Sequence, residues 1–509
     1  MQSIFDNGAP TPCPNPFNMA AYVLSHGSTH TPDHPALEIL HSDRVDSWSY
    51  LALEQAVRGI ASGLLAEGLT AGDRVLMRLE NSVGFPLTYL ACIAVDLIPV
   101  PTAAQLTAPE VAKMIAELSP SLIIKSDGVA CPETACPVLS EKQVLEMQSL
   151  PPAHYVMGDP ERLAYIIYTS GTSGTPRAVC HAHRAIWARR MMWDGWYGLR
   201  PSDRLLHAGA FNWTYTLGTG LMDPWTMGAT ALIPAPGTQP TDLPRLIRDH
   251  SATIFAAAPG VCRQILKQIQ PLDAPALRHG LSAGEKLPER TRLAWEELSG
   301  TSIYEAFGMS ECSTFLSGSP SRPAPEGSSG YAQNGRRIAV LGDDHHPVPF
   351  GVPGILANSK RDPGLMLGYW EAEDETNAKF SGEWFLTGDT VCMAADGAIT
   401  YLGRSDDMMN AGGFRVSPLE VEAVINQHPE IQECAAAEVS IKADTTVITV
   451  FYVAEHEIAQ HLLNDFVITH LARYKTPRLF VRVSELHKGA NGKLLRKTMR
   501  SNYENAQIS

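Results

Sequence analysis

No stretch of this chain is apolar for long enough to cross a bilayer. The longest apolar region, about Tyr89 to Leu106, carries Asp96 and two prolines. Basic charge is short as well: 40 Lys and Arg stand against 54 Asp and Glu, a formal charge of −14. Nucleic acid and anionic membrane reward clustered cations, so neither is expected as a main partner. The nine cysteines show no pairing pattern. Cys131 and Cys136 are too far apart for a CxxC knuckle, and His181 and His183 alternate on a strand or turn; neither pair reads as a zinc site. The opening residues MQSIFDNGAPTPCPNPFNMA have neither a basic start nor an apolar core, so no secretory signal is expected. With an odd cysteine count and no disulfide framework, this suits a reducing, cytoplasmic location.

At 509 residues the chain exceeds one compact core. Its amino-terminal part alternates helices and strands. Leu53, Ala56, Val57, Ile60, Ala61, Leu64 and Leu65 recur at helical spacing behind a Ser49 cap, and Gly68 closes the segment. Arg74 to Met77 reads as a strand, and Thr107 with Glu110 reads as a capping box after a Pro99 to Pro101 turn. Short apolar strands are expected at Leu122 to Ile124, Leu163 to Tyr168, Ala229 to Ile233 and Thr253 to Ala257. Ser, Gly and Pro dominate from Ser317 to Gly330, and short strands follow. The best boundary lies near Arg404 to Asp407, beyond which Ser417-Pro418-Leu419-Glu420 opens a helix. The last hundred or so residues read β, helix, β, with basic residues at the end. The expected fold is α/β: a large layered domain over 1–404 with a β-rich subdomain, and a small α+β lid domain over 405–509.

One run is chemically specific. Thr169-Ser170-Gly171-Thr172-Ser173-Gly174-Thr175-Pro176-Arg177 follows the apolar strand Leu163 to Tyr168. Glycines let the main chain approach a polyphosphate, hydroxyls add donors, and Arg177 supplies a permanent cation. It is not a Walker A loop, which needs Lys then Ser or Thr after its last glycine. A Ser/Gly/Thr linker is the plain alternative, and the position after an apolar strand, where α/β sheets bind ligands, favours a site.

Other constellations follow in order. Phe307-Gly308-Met309-Ser310-Glu311 places an aromatic face, a hydroxyl and a carboxylate together; Phe307 could stack on a purine, and Glu311 could hold Mg²⁺ beside phosphate oxygens. Asp389 ends the apolar Trp384 to Gly388 and could accept ribose hydroxyls; an exposed turn Asp is the alternative. Arg404, Asp406 and Asp407 precede the open Gly412-Gly413 turn. Lys493 sits in a tight turn flanked by Lys488, Arg496 and Lys497, which composition alone also allows as a solvated basic tail.

Taken together, YTSGTSGTPR, LSAGEKLP, AFGMSE, WFLTGD, YLGRSDDMMNAGGFRVSPLEVE, YKTPR and NGKLLRK resemble the adenylate-forming, AMP-binding superfamily of acyl-CoA synthetases, adenylation domains and luciferases, over nearly the whole chain. The resemblance implies an acid–thiol ligase: carboxylate plus ATP gives acyl-AMP and pyrophosphate, then a thiol, usually that of coenzyme A, displaces AMP. It implies ATP, Mg²⁺ and coenzyme A as cofactors. Thr169 to Thr175 would hold the β and γ phosphates, Ser310 would touch the α-phosphate, and Glu311 would bind the metal. Gly284, Glu285, Glu305 and Phe307 would frame adenine, with Gly308 and Met309 alongside; Asp389 and Arg404 would hold the ribose. Lys493 would bridge carboxylate and α-phosphate in the first step only. The lid would rotate about a hinge at Asp406, bringing Gly412 and Gly413 to the pantetheine channel and Arg415 to a phosphate.

The chain departs from that pattern in three places. Arg177 replaces the usual Lys, Asn410 stands where many members carry Lys, and His487 with Gly489 to Asn491 alters the run before Lys493. The acyl pocket is expected from Phe211, Asn212, Trp213 and Tyr215, from Ser282 and Ala283, and from Met309, Cys312 and Ser313. Asn212 lacks the charge that holds an α-ammonium in amino-acid-activating members. Trp213 and Tyr215 lie in a part resembling benzoate and aryl-CoA ligases, where bulky walls favour a compact aryl, cyclic or short to medium acid. Expected partners are that small carboxylic acid, ATP and coenzyme A, with a homodimer left open. Two alternatives stand: a stand-alone enzyme loading a carrier protein, and a catalytically weak acyl-adenylate-binding protein.

Overall fold

The structure is a computed structural model and describes residues 2–169, 176–267, 272–411, 414–442, 445–489 and 494–508. The chain divides into two compact units, each described by itself. One comprises residues 6–337 and 359–379, the other residues 1–5, 338–358 and 380–509.

The larger unit is built on a nine-stranded sheet in which Ile303–Met309, His279–Ala283, Ile254–Ala257, Arg204–His207, Thr230–Pro234 and Pro35–Leu40 run parallel side by side. Ile254–Ala257 and His279–Ala283 are buried throughout, as parallel strands covered on both faces must be. Antiparallel strands finish the edges: Ser313–Ser317 and Tyr331–Ala332 at one, Val45–Ser49 at the other. A four-stranded parallel sheet is ordered Ile98–Pro101, Arg74–Arg78, Leu122–Lys125, Val138–Ser140. The expected turn at Pro99 to Pro101 is therefore a strand; it lies at the sheet's edge, where a residue without an N–H leaves no ladder position empty.

Helices pack between the sheets. Tyr50–Ala66 starts where expected, with Ser49 Oγ accepting from the Ala52 N–H at 3.3 Å, and buries Leu53, Ala56, Val57, Ile60, Ala61 and Leu64. Leu65, expected on that face, is 41% exposed, because a seventh apolar residue falls outside the stripe one helix can bury. Gly84–Ala94 is buried all round and forms the centre of the core. The Thr107–Glu110 box is present: Glu110 Oε2 accepts from the Thr107 N–H at 2.8 Å.

The smaller unit carries a six-stranded sheet, Ile4–Asp6, Arg337–Leu341, Gly354–Ser359, Trp384–Met393 and Phe380–Ser381, with Ile399–Arg404 also on Trp384–Met393. This is the expected β-rich subdomain, and in this division it groups with the carboxyl-terminal residues. There, Glu433–Lys442 and Thr445–Val453 form an antiparallel pair that Leu479–Arg482 extends in parallel. Pro418–Ile425 begins at Ser417, whose Oγ accepts from the Glu420 N–H at 3.4 Å. The terminal basic run forms a further helix, Arg496–Ile508. The β, helix, β reading lacks it, since its polar sequence carries little apolar stripe; packing of Met499 and Tyr503 on the sheet holds it.

Candidate active site

The phosphate-loop residues Ser170, Gly171, Thr172, Ser173, Gly174 and Thr175 lie outside the described residues, as do Gly412, Gly413 and Lys493. The ends of the loop are described. Thr169 N–H donates to the Arg177 carbonyl at 2.9 Å, and the Arg177 N–H donates to Thr169 Oγ1 at 3.1 Å. The run thus joins two antiparallel strands, Leu163–Tyr168 and Ala178–Ala182, rather than leading from a parallel strand into a helix. No helix follows because Ala178–Ala182 folds back as sheet against Leu163–Tyr168.

Ala178–Ala182 also pairs with Gly368–Tyr369. From that strand Tyr369 Oη donates to Glu311 Oε1 at 2.9 Å. Six residues on, Glu375 Oε2 pairs with Arg177 Nη2 at 2.7 Å, both groups roughly half exposed. One short segment therefore ties the exit of the phosphate loop to the Glu311 carboxylate. Burial pushes the Tyr369 phenol up, and the Glu311 charge adds to it, so Tyr369 stays a donor. Among the described residues Glu311 is buried with no Lys or Arg paired to it, which fits a carboxylate that meets Mg²⁺ beside phosphate oxygens. No group of three or more metal-ligating side chains exists among the described residues.

Strands His279–Ala283 and Ile303–Met309 are neighbours, with Ser282 beside Glu305 and Ala283 beside Ala306. This brings Gly284, Glu285, Glu305 and Phe307 into one region. Glu305 receives Lys286 Nζ at 2.8 Å and the Leu287 N–H at 3.1 Å, so it braces the loop after Gly284; burial raises its carboxyl even with the Lys286 ammonium beside it. Glu285 pairs with Arg263 at 3.3 Å. Phe307 sits edge-on to Phe315, and Gly308 follows at a register shift. Ser310 offers its carbonyl to His181 Nε2 at 2.7 Å.

The expected acyl residues divide. Phe211 is fully buried, 5.5 Å from Phe85, and belongs to the core; Cys312 and Ser282 are fully buried too. Tyr215 is buried with its Oη on the Leu281 carbonyl at 3.2 Å. Trp213 is partly exposed, edge-on to Tyr215 at 5.3 Å, with its indole over Gly284. Asn212 and Met309 are partly exposed, and Ala283 is buried at the strand end.

In the smaller unit Asp389 is 4% exposed in the middle of Trp384–Met393, not in an exposed turn. Its register partner is Arg404, whose Nη1 lies 3.3 Å from Asp389 Oδ2, while Tyr401 Oη donates to Oδ1 at 3.2 Å. Asp406 receives Lys497 Nζ at 2.5 Å and lies 3.6 Å from Arg404 Nε. Burial raises its carboxyl, but these two cations outweigh that and hold it below the usual range. Asn410 and Arg415 are register partners in a two-stranded ribbon.

Sequence reasoning missed one cluster. Tyr89, Tyr165, His181 and Arg189 line a small cavity that Thr214, Ser310 and Ser313 also border. His181 reads as structural in isolation, and Tyr89 hides within an apolar run. Arg189 is almost wholly buried, with Nε and Nη2 on Asp223 at 2.9 and 2.6 Å. The sequence signal is weak, because Arg189 stands beside Arg190 and reads as one of a basic pair.

A sequence model described as AMP-binding enzyme matches residues 24–370, and one described as AMP-binding enzyme C-terminal domain matches residues 420–493. The chain is 27% identical over 527 residues to the human mitochondrial acyl-coenzyme A synthetase ACSM2B, covering 96% of this chain and 91% of that protein. It is 28% identical over 490 residues to the 3-hydroxybenzoate–CoA/4-hydroxybenzoate–CoA ligase of Thauera aromatica, covering 89% and 92%. Among solved structures it is similar to the anthranilate CoA ligase AuaEII in complex with anthranoyl-AMP, with TM-score 0.87, 25% identity and coverage of 98% and 99%. A benzoate CoA ligase from Burkholderia xenovorans gives TM-score 0.83 and 26% identity, covering 95% and 100%.

Proposed function

The chain belongs to the AMP-binding enzyme family, and on that footing we propose that it joins a compact carboxylic acid to coenzyme A through an acyl-AMP intermediate. Its relatives are acyl-CoA synthetases and aryl-CoA ligases, which makes it an ATP-dependent acid–thiol ligase releasing AMP and pyrophosphate. The observation that carries the reading is the segment around Tyr369, which couples the phosphate-loop exit at Arg177 to the Glu311 carboxylate.

A carboxylate is a poor electrophile, so the protein's work is positioning and charge stabilisation, with no covalent enzyme intermediate. Thr169 to Thr175 and Arg177 hold the β and γ phosphates, and Ser310 the α-phosphate. Glu311 is the group that would hold Mg²⁺, which would neutralise phosphate charge when bound. Asp389, with Arg404 fixing its carboxylate, holds the ribose, and Phe307 and the Gly284 loop frame adenine. Lys493 supplies the charge between carboxylate and α-phosphate. After acyl-AMP forms, residues 405–509 turn about Asp406, so that Gly412, Gly413 and Arg415 serve the thiol step.

Asn212 in place of an acid argues against an α-amino acid, and Trp213 against a long straight chain, leaving aryl, cyclic and short to medium acids. Free coenzyme A rather than a carrier-protein thiol is the acceptor, as the relatives' names support. Among the described residues none of the nine cysteines forms a disulfide, which fits a reducing, cytoplasmic compartment, and no helix is long and apolar enough to cross a membrane.

Pyrophosphate release tests the reading with purified protein, ATP, Mg²⁺, coenzyme A and a broad acid panel. At least one acid should give turnover that Lys493→Ala lowers by orders of magnitude. No release from any acid, with Lys493→Ala behaving identically, would overturn it.

A further inference from the structure

The cavity lined by Tyr89, Tyr165, His181, Arg189, Ser310 and Ser313 has room for about one water-sized group. It borders both acyl-site segments, since Thr214 follows Trp213, and Ser310 and Ser313 flank Cys312. Tyr89, Tyr165 and His181 form an aromatic row with successive ring centroids 5.8 and 4.9 Å apart. Two polar atoms of that row, Tyr89 Oη and His181 Nδ1, are buried without a hydrogen-bond partner. Such atoms are costly to leave unanswered, so a partner is expected where there is room for one.

The proton on His181 can be placed. A carbonyl only accepts, so Nε2, at 2.7 Å from the Ser310 carbonyl, carries the hydrogen and Nδ1 carries a lone pair. Burial pushes the imidazole down to about 4, which keeps it neutral at pH 7. Tyr89 offers the complementary group, a phenol that burial holds protonated. The cavity therefore presents an acceptor and a donor and no free charge, because Arg189 is answered by Asp223 and by Ser313 Oγ at 2.7 Å.

The surroundings are built to hold this arrangement. A β-carbon on Gly218 would stand 2.3 Å from Arg189 Cζ, so only glycine lets the guanidinium lie against that turn. Ser313 is held at φ +60°, a conformation L-residues seldom adopt, and Arg189 bonds its hydroxyl there.

We propose that this cavity is a specificity subsite for a hydroxyl substituent of the acid, which donates to His181 Nδ1 or accepts from Tyr89 Oη. A hydroxyl is both donor and acceptor and can answer either atom; a carboxylate only accepts, and a methyl group answers neither. The assignment rests on the ligase reading above and specifies its acid as hydroxylated.

The test uses the full-length protein and matched acids with and without one hydroxyl, in aryl, alicyclic and short-chain series, scored by kcat/KM for pyrophosphate release. In at least one series the wild type should favour a hydroxylated acid about tenfold or more over its parent, and over its methoxy analogue, which cannot donate and whose added methyl exceeds a cavity of about one water. Tyr89→Phe should cut that preference severalfold, as should His181→Gln, each variant first shown to retain ATP binding. Parents matching or exceeding their hydroxylated partners in every series would overturn the proposal whatever the variants do. A preference unchanged in both variants would also overturn it, leaving the cavity to a structural water only. Absence of pyrophosphate release from every acid would instead remove the ligase reading, and this inference with it.

Discussion

The indole of Trp213 lies across Gly284 so closely that a β-carbon built on Gly284 would stand 2.5 Å from Trp213 Cζ2. Gly284 also holds φ at +101°, where a side chain is strained whatever the space. The pair joins the segment that follows Phe211 to the loop that follows strand His279–Ala283, and in the proposed ligase it would set the depth of the acyl pocket.

Gly284→Ala should lower acid-dependent pyrophosphate release at least tenfold and destabilise the protein by about 1–3 kcal/mol, from backbone strain and displacement of the indole. Trp213→Ala should leave the fold intact and shift the preferred acid toward larger groups. A kcat/KM series over acids of rising bulk checks both; an unchanged size preference in Trp213→Ala would place Trp213 in packing alone.

Glu311→Gln should reduce kcat about 10²–10³-fold if, as proposed, its carboxylate holds the metal that neutralises phosphate charge. Tyr369→Phe removes one hydrogen bond to that carboxylate and should cost about tenfold. Raising Mg²⁺ should recover part of the Tyr369→Phe loss and none of the Glu311→Gln loss. Recovery of both would mean Glu311 is not the metal carboxylate.

Arg177 is held by Glu375 at 2.7 Å in a half-exposed pair, so the interaction is worth at most about 1 kcal/mol. ATP must compete with Glu375 for the guanidinium. Glu375→Gln should therefore lower the KM for ATP up to about fivefold, with Arg177→Ala raising it. A higher KM in Glu375→Gln would show that Glu375 orients Arg177 for phosphate instead of competing with it.

Stability should fall on mild acidification. Burial lowers His181 and His279 to about 4 and His207 to about 3, from an ordinary 6.5. Below pH 6.5 the unfolded chain takes up protons that the folded chain refuses. Their full contribution is present above pH 6.5 and is lost as pH drops toward 4, by up to about 3 kcal/mol per imidazole. Urea midpoints at pH 7, 6 and 5 should decline, and His207→Leu should make the decline shallower. Identical slopes in wild type and variant would refute the assignment to His207.

Much of the candidate site was proposed from sequence because its chemistry depends on residue types in short, contiguous strings. The phosphate run, AFGMSE and WFLTGD each carry their donors and acceptors within a few positions. Local signals were equally direct: the Ser49 and Ser417 caps and the Thr107–Glu110 box form where the residues alone place them. What failed depended on neighbours distant in sequence. Pro99 to Pro101 becomes a strand because Arg74–Arg78 pairs with it. The burial of Asp389, which left its exposed-turn alternative behind, likewise comes from Arg404 and Tyr401 returning across the sheet to meet it. The helix Arg496–Ile508 exists through packing that its own composition does not announce.

The sequence by itself determined the kind of protein, an α/β ligase of the AMP-binding enzyme family, since motif chemistry is local. Only the tertiary structure decided which of its side chains are free to act. It moved Phe211 into the core, laid Trp213 over Gly284 and tied Arg177 and Glu311 to one segment. It also gathered Tyr89, His181 and Arg189 from three separate parts of the chain into one cavity. Burial and hydrogen-bond satisfaction are properties of the packed neighbourhood, and no string of residues states its neighbours.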